Sequence, residues 1–366
     1  MRVVGLRLRD FRCYEDASVT LGERLTVVSG PNGAGKTNLL EGLYFGCTGR
    51  SCRTNNEREV VRFGASATRV VVNALGDDGA HELSVGFEPG QPKRMRADGA
   101  TVERLLDVDA RPLVSVFLPD RLELIKGPPA LRRAHLDQFV AALWPARTGT
   151  RRAYAQALAQ RNALIGRIRS GVGSRESLAT WDAQLAAHGI ALMHDRASAL
   201  GTIGESFRKL AASLGLVGES ELRYRPRSRA TEPEQLTAEL RERVESDLER
   251  GFTGHGPHRD DLAFLCEGRD LRSYGSQGQQ RLALLALLLA EREAIANSRN
   301  ATPLMLLDDV MSELDRDRRD ALVEVLRAGG QSVITTTDLE HVPGATAESV
   351  ARLAVADGRV HEEVVV

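Results

Sequence analysis

The sequence predicts an α/β nucleotide-binding head interrupted by a mainly helical arm, and three observations predict it. A phosphate-binding loop, Gly30-Pro31-Asn32-Gly33-Ala34-Gly35-Lys36-Thr37, matches G-x-x-x-x-G-K-[ST] at every defined position and lies between a strand pattern and a helix pattern. An apolar strand ending in Asp308-Asp309 follows about 270 residues later. Between them, residues 128–250 read as helical. The expected organisation is therefore head over 1–127, helical arm over 128–250, and the rest of the head over 251–366. A chain of 366 residues is long enough for one domain with a sizeable insertion.

Taken in order, Leu6 and Leu8 alternate with Arg7 and Arg9, as in a half-buried strand. Residues 11–14 form a turn or a short second strand. Residues 25–28 make a buried strand running into Gly30, and 38–45 the helix that leaves the loop. Strands follow at 69–75 and 82–88, joined through the Gly-Asp-Asp-Gly turn at 76–79, and at 113–118. Helices are expected at 130–144, 151–169 and about 176–214. In the last, Leu178, Trp181, Leu185, Leu192, Leu200, Ile203, Phe207, Leu210 and Leu214 fall mostly on 3, 4 or 7 spacing. Such spacing suggests a helical hairpin or a short antiparallel coiled coil. A polar link covers 223–233 and a helix 234–250. The head then resumes with a hairpin over 262–274, a helix at 281–296, a strand at 303–307, a helix at 316–327, a strand at 332–336 and a closing hairpin over 351–365. The two ends of the chain thus build one α/β layer structure.

Formal net charge is −1, so a nucleic-acid surface has to be a local patch. Lys36, Lys93, Lys126 and Lys209 are the only lysines, and the arginine excess lowers the weight of any single arginine cluster. Cys13, Cys47, Cys52 and Cys266 form no C-x-x-C pair and have no histidine at metal spacing, which predicts free thiols in a reducing compartment. The opening stretch has no basic-then-apolar leader. The longest apolar run, Leu282 to Ala290, is far short of the ~20 residues of a membrane span. The expectation is a cytoplasmic protein without a membrane segment.

The chemistry sits in a few short segments. Gly33 and Gly35 let backbone N–H groups face phosphates, Lys36 bridges the β- and γ-phosphates of ATP, and the Thr37 hydroxyl ligates Mg²⁺. Asp308 ends an apolar strand, where a buried carboxylate calls for a cation, so it is the Mg²⁺ partner of Thr37. Asp309 stands where ABC-type ATPases carry a glutamate that polarises water. One methylene shorter, it predicts slow hydrolysis; a capping carboxylate is the alternative. Ser276-Gln277-Gly278-Gln279 precedes a helix, and either simply caps it or presents N–H groups and a positive dipole to a γ-phosphate. In ABC ATPases this turn serves the ATP of the opposite subunit, which makes nucleotide the glue of a dimer. Ser312-Glu313-Leu314-Asp315 occupies the D-loop place, with Asp315 either reaching the opposite phosphate loop or capping its own helix. Thr335-Thr336-Thr337-Asp338 takes the place where transporters carry a switch histidine, or is a polar strand end.

These segments, in this order, resemble the RecF family of bacterial recombination-repair proteins. The resemblance rests on residues 8–14, the loop through Asn38, Arg50-Ser51-Cys52-Arg53-Thr54, residues 124–129 with Arg132-Arg133, Gly256-Pro257-His258-Arg259-Asp260-Asp261, residues 274–281 and 306–310. It covers essentially the whole chain. It implies an ABC-type, SMC-like P-loop ATPase head without a long coiled coil, and an ATP-induced homodimer. It also implies engagement of duplex DNA near gaps or junctions, action with RecO and RecR in loading RecA, and support of replication and the SOS response. Arg12 and Asn38 join the nucleotide site on this basis, and Asp309 is usual in the family. Arg50, Arg53, Arg132 and Arg133 are candidate DNA-phosphate contacts. His258-Arg259 with Asp260-Asp261 form either an internal salt-bridged turn or part of the dimer face. A transporter subunit is the rival class, disfavoured by the helical insertion, the Ser-Gln-Gly-Gln turn and the missing histidine. A nucleotide-switched scaffold for partner proteins is the non-enzymatic one.

Overall fold

In the computed structural model, which describes residues 1–312 and 314–363, the chain forms two compact units. Unit 1 comprises residues 1–121 and 295–366, and unit 2 residues 122–294. This grouping differs from the expected boundaries in two respects: residues 122–127 and 251–294, both expected in the head, belong with the helical unit.

Unit 1 begins with β1 (Arg2–Phe11), β2 (Tyr14–Thr20), β3 (Leu25–Ser29) and α1 (Lys36–Thr48), continues with β4 (Thr68–Gly76), β5 (Gly79–Phe87), β6 (Arg94–Ala97) and β7 (Ala100–Val102), and leaves through β8 (Val114–Phe117). Unit 2 contains α2 (Glu123–Lys126), α3 (Pro129–Leu143), α4 (Thr148–Arg169), α5 (Leu178–Ser213), β9 (Ser220–Arg225), α6 (Pro233–Glu242), α7 (Val244–Arg250), β10 (Asp261–Cys266), β11 (Arg269–Asp270) and α8 (Leu271–Tyr274). Helix α9 (Gln277–Arg299) runs from unit 2 into the resumed unit 1, which adds β12 (Leu304–Leu307), α10 (Arg316–Ala328), β13 (Ser332–Thr336), β14 (Val350–Ala356) and β15 (Arg359–Glu362).

Two six-stranded sheets frame unit 1. One is antiparallel, in the order β2-β1-β4-β5-β6-β7; the other, β15-β14-β3-β13-β12-β8, is parallel except at its β15 edge. Strands β3, β12 and β13 are buried throughout, as a parallel sheet covered on both faces requires. Helix α1 packs on the antiparallel sheet: a Cβ at Gly42 would meet Leu8 at 2.7 Å, and one at Gly46 would meet Val72 at 2.4 Å. One apolar cluster accordingly joins Leu8, Val72, Leu39, Leu43, Val28 and Val333.

Strand order places the functional loops. β3 feeds the phosphate loop, β12 feeds Asp308, and β13 lies between them in register with both. All three open at the carboxyl end of the parallel sheet, where α/β folds bind ligands.

In unit 2, α4 packs along the long helix α5, which fits the expected helical hairpin. Three details differ from expectation. The second arm of the hairpin expected over 262–274 is only the two-residue strand β11, followed at once by the short helix α8. The polar link begins with a real strand, β9, which pairs antiparallel with β10 from Asp261↔Arg225 to Cys266↔Ser220. The helix expected over 234–250 is two helices meeting at Arg243. The β6–β7 hairpin was not anticipated. The end of the closing hairpin expected through residue 365, and Glu313 of the D-loop segment, lie outside the described residues.

Candidate functional site

Gly30 has φ 149°, and a Cβ there would stand 2.2 Å from the Val355 carbonyl oxygen of β14, so only glycine fits. Gly35, at φ 119°, turns the chain into α1 beneath Cys13 and Tyr14. A Cβ at this position would stand 2.7 Å from Cys13 Sγ. The Tyr14 hydroxyl donates to the Gly35 carbonyl at 2.9 Å, and burial raises the Tyr14 pKa. Pro31, Asn32 and Gly33 are exposed, while Ala34, Gly35 and Lys36 are buried. Lys36 Nζ donates to the carbonyls of Gly30 at 2.7 Å and Pro31 at 3.0 Å, inside its own loop. Burial lowers its pKa, and the charges of Asp309 and Asp308 act in the opposite direction.

The acidic strand closes on this loop. The Thr37 hydroxyl donates to Asp308 Oδ2 at 2.8 Å. The Thr335 hydroxyl donates to Asp308 Oδ1 at 2.7 Å and accepts the Asp309 N–H at 2.9 Å. Thr335 is thus the link between the loop strand and the acidic strand, made possible because β13 separates β3 from β12. Asp308 is 6 % exposed. A hydroxyl and a carboxylate so close are hard oxygen donors of the kind Mg²⁺ takes, an ion that keeps its other positions for water and phosphate oxygens. Asp309 adopts a left-handed φ of 46°, and its buried Oδ1 has no hydrogen-bond partner among the described residues.

A second layer borders the N-terminal end of α1. Glu41 is fully buried, and its carboxylate accepts a fork from Arg12, at 2.8 Å from Nε and 2.7 Å from Nη2. It also accepts from Ser51 Oγ at 2.5 Å and from Arg53 Nη1 at 3.3 Å. Arg53 donates to Asn38 Oδ1 at 2.9 Å as well, and Asn38 Nδ2 approaches Cys13 Sγ at 3.2 Å. Sequence reasoning passed over Glu41. Its signal was a lone carboxylate one turn after Thr37 on an otherwise apolar helix, where an unpaired charge has no place.

The remaining expected residues divide sharply. Asp315, exposed, caps α10 by accepting the Arg318 N–H at 3.0 Å. Ser276 and Gln279 form a reciprocal cap at the start of α9: Ser276 Oγ accepts from Gln279 N–H at 3.2 Å, and Gln279 Oε1 accepts from Ser276 N–H at 2.9 Å. Gln277 and Gly278 are exposed beside it. Gln280 supports this turn from beneath, donating through Nε2 to the Leu271 carbonyl at 2.7 Å. The signature turn belongs to unit 2, and the phosphate loop, Asp308, Asp309 and Asp315 to unit 1.

Arg132 does not fit a DNA-contact role. It is 2 % exposed, forks onto Asp261 at 2.7 and 3.0 Å, and donates to the carbonyls of Ile125 and Gly127. A guanidinium used up in this way fixes α2, α3 and β10 to one another. Arg53, held by Glu41 and Asn38, likewise braces the loop after α1. Arg50 is exposed, and Arg133 gives one hydrogen bond to the Asp260 carbonyl at 2.7 Å.

The 256–261 segment is an internal turn. Asp260, fully buried, accepts from the Tyr224 hydroxyl, from Arg227 N–H at 2.6 Å and from Arg196 Nη1 at 3.3 Å. Tyr154 donates its hydroxyl to His258 Nδ1 at 2.7 Å while His258 Nε2 donates to the Thr253 carbonyl at 2.9 Å, the pattern of a neutral ring. Burial pushes the His258 pKa down to about 4.

No described helix is long and apolar enough to cross a membrane. A family model described as an AAA domain matches residues 5–105. The chain is 37 % identical to the DNA replication and repair protein RecF of Myxococcus xanthus, over 98 % of this chain and 97 % of that one. It is 36 % identical to the protein of the same name from Heliobacterium modesticaldum, over 93 % of both. Among solved structures, the recombination mediator protein RecF-ATP in the RecFOR pathway superposes with a TM-score of 0.86 at 27 % identity, covering 99 % of this chain and 98 % of that one. An SMC head bound to the C-winged helix domain of ScpA shares the fold, with a TM-score of 0.61 at 15 % identity over 99 % and 97 % of the two chains. The architecture is that of an ABC-type, SMC-like P-loop ATPase head, and the chain belongs to the RecF family of DNA replication and repair proteins.

Proposed function

We propose that this protein binds ATP with Mg²⁺ at the phosphate loop, pairs with a second copy through the nucleotide, and hydrolyses it slowly while engaged with DNA in recombinational repair. The observation that carries this reading is the convergence of Lys36, Thr37, Asp308 and Thr335 at the carboxyl end of one parallel sheet. Asn38 and Arg12 border the same loop, Arg12 through Glu41. Slow turnover is supported by Asp309, whose short side chain leaves one carboxylate oxygen buried and without a partner among the described residues. Gln277 and Gly278 are exposed at the start of α9, next to Ser276, where the first N–H groups of a helix have no partner within it and suit a phosphate held by another subunit. Asp315 reaches the opposite phosphate loop in the same dimer.

The names of relatives support this setting: one is a DNA replication and repair protein, and another a recombination mediator in the RecFOR pathway. The proposal extends this to a cytoplasmic protein that binds duplex DNA near gaps or junctions and works with RecO and RecR to load RecA, supporting replication and the SOS response. Arg50 and Arg133 remain its candidate phosphate contacts.

Sedimentation and ATPase rates, with and without ATP and duplex DNA, test the reading. Lys36→Arg should weaken ATP-driven dimerisation about tenfold or more, which is roughly 1.4 kcal/mol. Ser276→Arg should keep ATP binding and lose the dimer. Loss of ATP binding by the Ser276→Arg monomer would show that the turn does not act on the opposite subunit. An ATPase indifferent to DNA at low salt would sink the DNA-coupled cycle.

A further inference from the structure

Four guanidinium groups converge on the loop that joins α7 to β10 in unit 2. Arg169 lies across Gly251, where an added Cβ would stand 2.2 Å from its Nη1. Arg250 reaches along the loop to Gly254, where the same construction gives 3.2 Å. The Arg259 guanidinium sits 5.2 Å from the centre of the Phe252 ring, and that ring is 41 % exposed. Arg133 approaches from α3 with a single bond to a neutral carbonyl. Its charge and that of Arg259 bear on each other and on His258. Among the described residues no ion pair engages any of the four, whereas Arg132, Arg161 and Arg196 of the same unit are all paired with aspartates.

The loop is also held rigidly. Gly251 takes a left-handed φ of 84° at the end of α7, and the Thr253 N–H and hydroxyl both donate to Asn162 Oδ1, at 2.8 and 2.7 Å. Gly254 N–H donates to Asp247 at 2.8 Å. Arg133 and Arg259 act on each other, with Asp261 and Asp260 countering in part at Arg133, and four guanidinium groups without an ion pair among the described residues on a pinned loop favour an anion. Guanidinium forks match phosphate oxygens in particular, and an exposed aromatic ring among them offers a surface for an unstacked base.

We infer that this loop is a docking site for a single strand of DNA, with Arg133, Arg169, Arg250 and Arg259 on its phosphates and Phe252 against an unpaired base. The inference rests on the DNA reading given above and gives it an address: the unpaired strand beside a duplex.

Fluorescence anisotropy of the full-length protein with ATP tests it on three probes, a single strand, a gapped duplex and a continuous duplex. The Arg250→Glu/Arg259→Glu variant should bind the first two at least about tenfold more weakly, with the salt dependence reduced by about two phosphate contacts. Phe252→Ala should weaken the single strand and the gapped duplex about tenfold and leave the continuous duplex unchanged. A control of equal charge outside the loop, Arg208→Glu/Arg241→Glu, should bind as the wild type, and all variants should keep the wild-type melting temperature and DNA-free ATPase rate. Wild-type binding by the loop variant, or equal loss in the control, overturns the site while the DNA reading stands. A loop variant that has lost its wild-type melting temperature is replaced by Phe252→Ala, whose selectivity decides. Polyglutamate competing as well as DNA, with Phe252→Ala silent, marks the patch as a dock for acidic protein and overturns it too. A wild type that binds none of the probes removes both readings.

Discussion

Arginine and carboxylate meet in both units, under different conditions. In unit 1 the Glu41 carboxylate gathers Arg12, Arg53 and Ser51 around the start of α1, and Arg12 and Arg53 keep 17 % and 37 % of their side chains exposed. In unit 2, Arg161 is completely buried and is shared by Asp182 and Asp247, each at 2.7 Å, with Thr253 Oγ1 at 2.8 Å. Arg196 does the same between Asp137 and Asp260. The unit 2 pairs are sealed from solvent, although Arg161 Nη2 finds no hydrogen-bond partner among the described residues, so their contribution is to the fold. The unit 1 network keeps part of two guanidinium groups exposed and borders the phosphate loop, whose residues 31–33 are exposed. The same two residue types become scaffold or site according to whether solvent can reach them.

The largest break in this contrast should come from Arg161→Met. It strands two buried aspartates and should cost about 3–5 kcal/mol of stability, read by denaturant unfolding, while the fraction still folded binds ATP as the wild type does. If unfolding is unchanged, the buried triad is not what holds α4, α5 and α7.

Next comes His258, neutral in the fold with its pKa pushed down to about 4 from an ordinary value of 6.5. A depressed histidine favours the fold while neutral, so this contribution is whole above pH 6.5. It is lost as pH falls from 6.5 through about 4, by up to roughly 3 kcal/mol. The difference in unfolding free energy between the wild type and His258→Gln should move against the wild type across that window. A constant difference would mean that the ring is not neutral in the fold.

The smallest effect, and the sharpest, is Thr335→Val. It takes one hydrogen bond from Asp308 and one from the Asp309 N–H, at a cost of about 1–2 kcal/mol. ATP turnover should fall further than ATP affinity, because Thr335 sets the acidic pair rather than the phosphate loop. An equal fall in both would make it an ordinary packing residue.

Much of unit 1 was legible in sequence because its elements either alternate, as β1 does over residues 6–9, or are mostly apolar, as β3 and β12 are. The phosphate loop and Asp308 could be paired across the chain because each carries its own motif. Thr335 was read as standing in the place of a switch histidine or as a polar strand end; its bonds to Asp308 and Asp309 depend on strand order, which no local pattern encodes. Arg132 was misjudged because a buried arginine and a surface one are the same letter, and only the position of Asp261, far along the chain, separates them. The strand β9 was hidden for a related reason. It is an edge strand with half-exposed arginines, and Arg223-Tyr224-Arg225 before Pro226 reads as a link. The break at Arg243 left no proline or glycine to mark it.

Strand β3 has one further consequence, and it concerns time. Both of its neighbours, β13 and β14, come from the far end of the chain. At the pace of synthesis, about 5–20 residues per second, the phosphate-loop strand waits tens of seconds on the ribosome before either neighbour exists. Unit 2, continuous from 122 to 294, can close on itself meanwhile. Leu25 to Ser29, buried in the finished protein, then offers two unpaired edges to any other nascent chain. The part of the molecule made first is the last to be safe, and slow translation or scarce chaperones should appear as aggregation through this strand before any loss of activity in the protein that has folded.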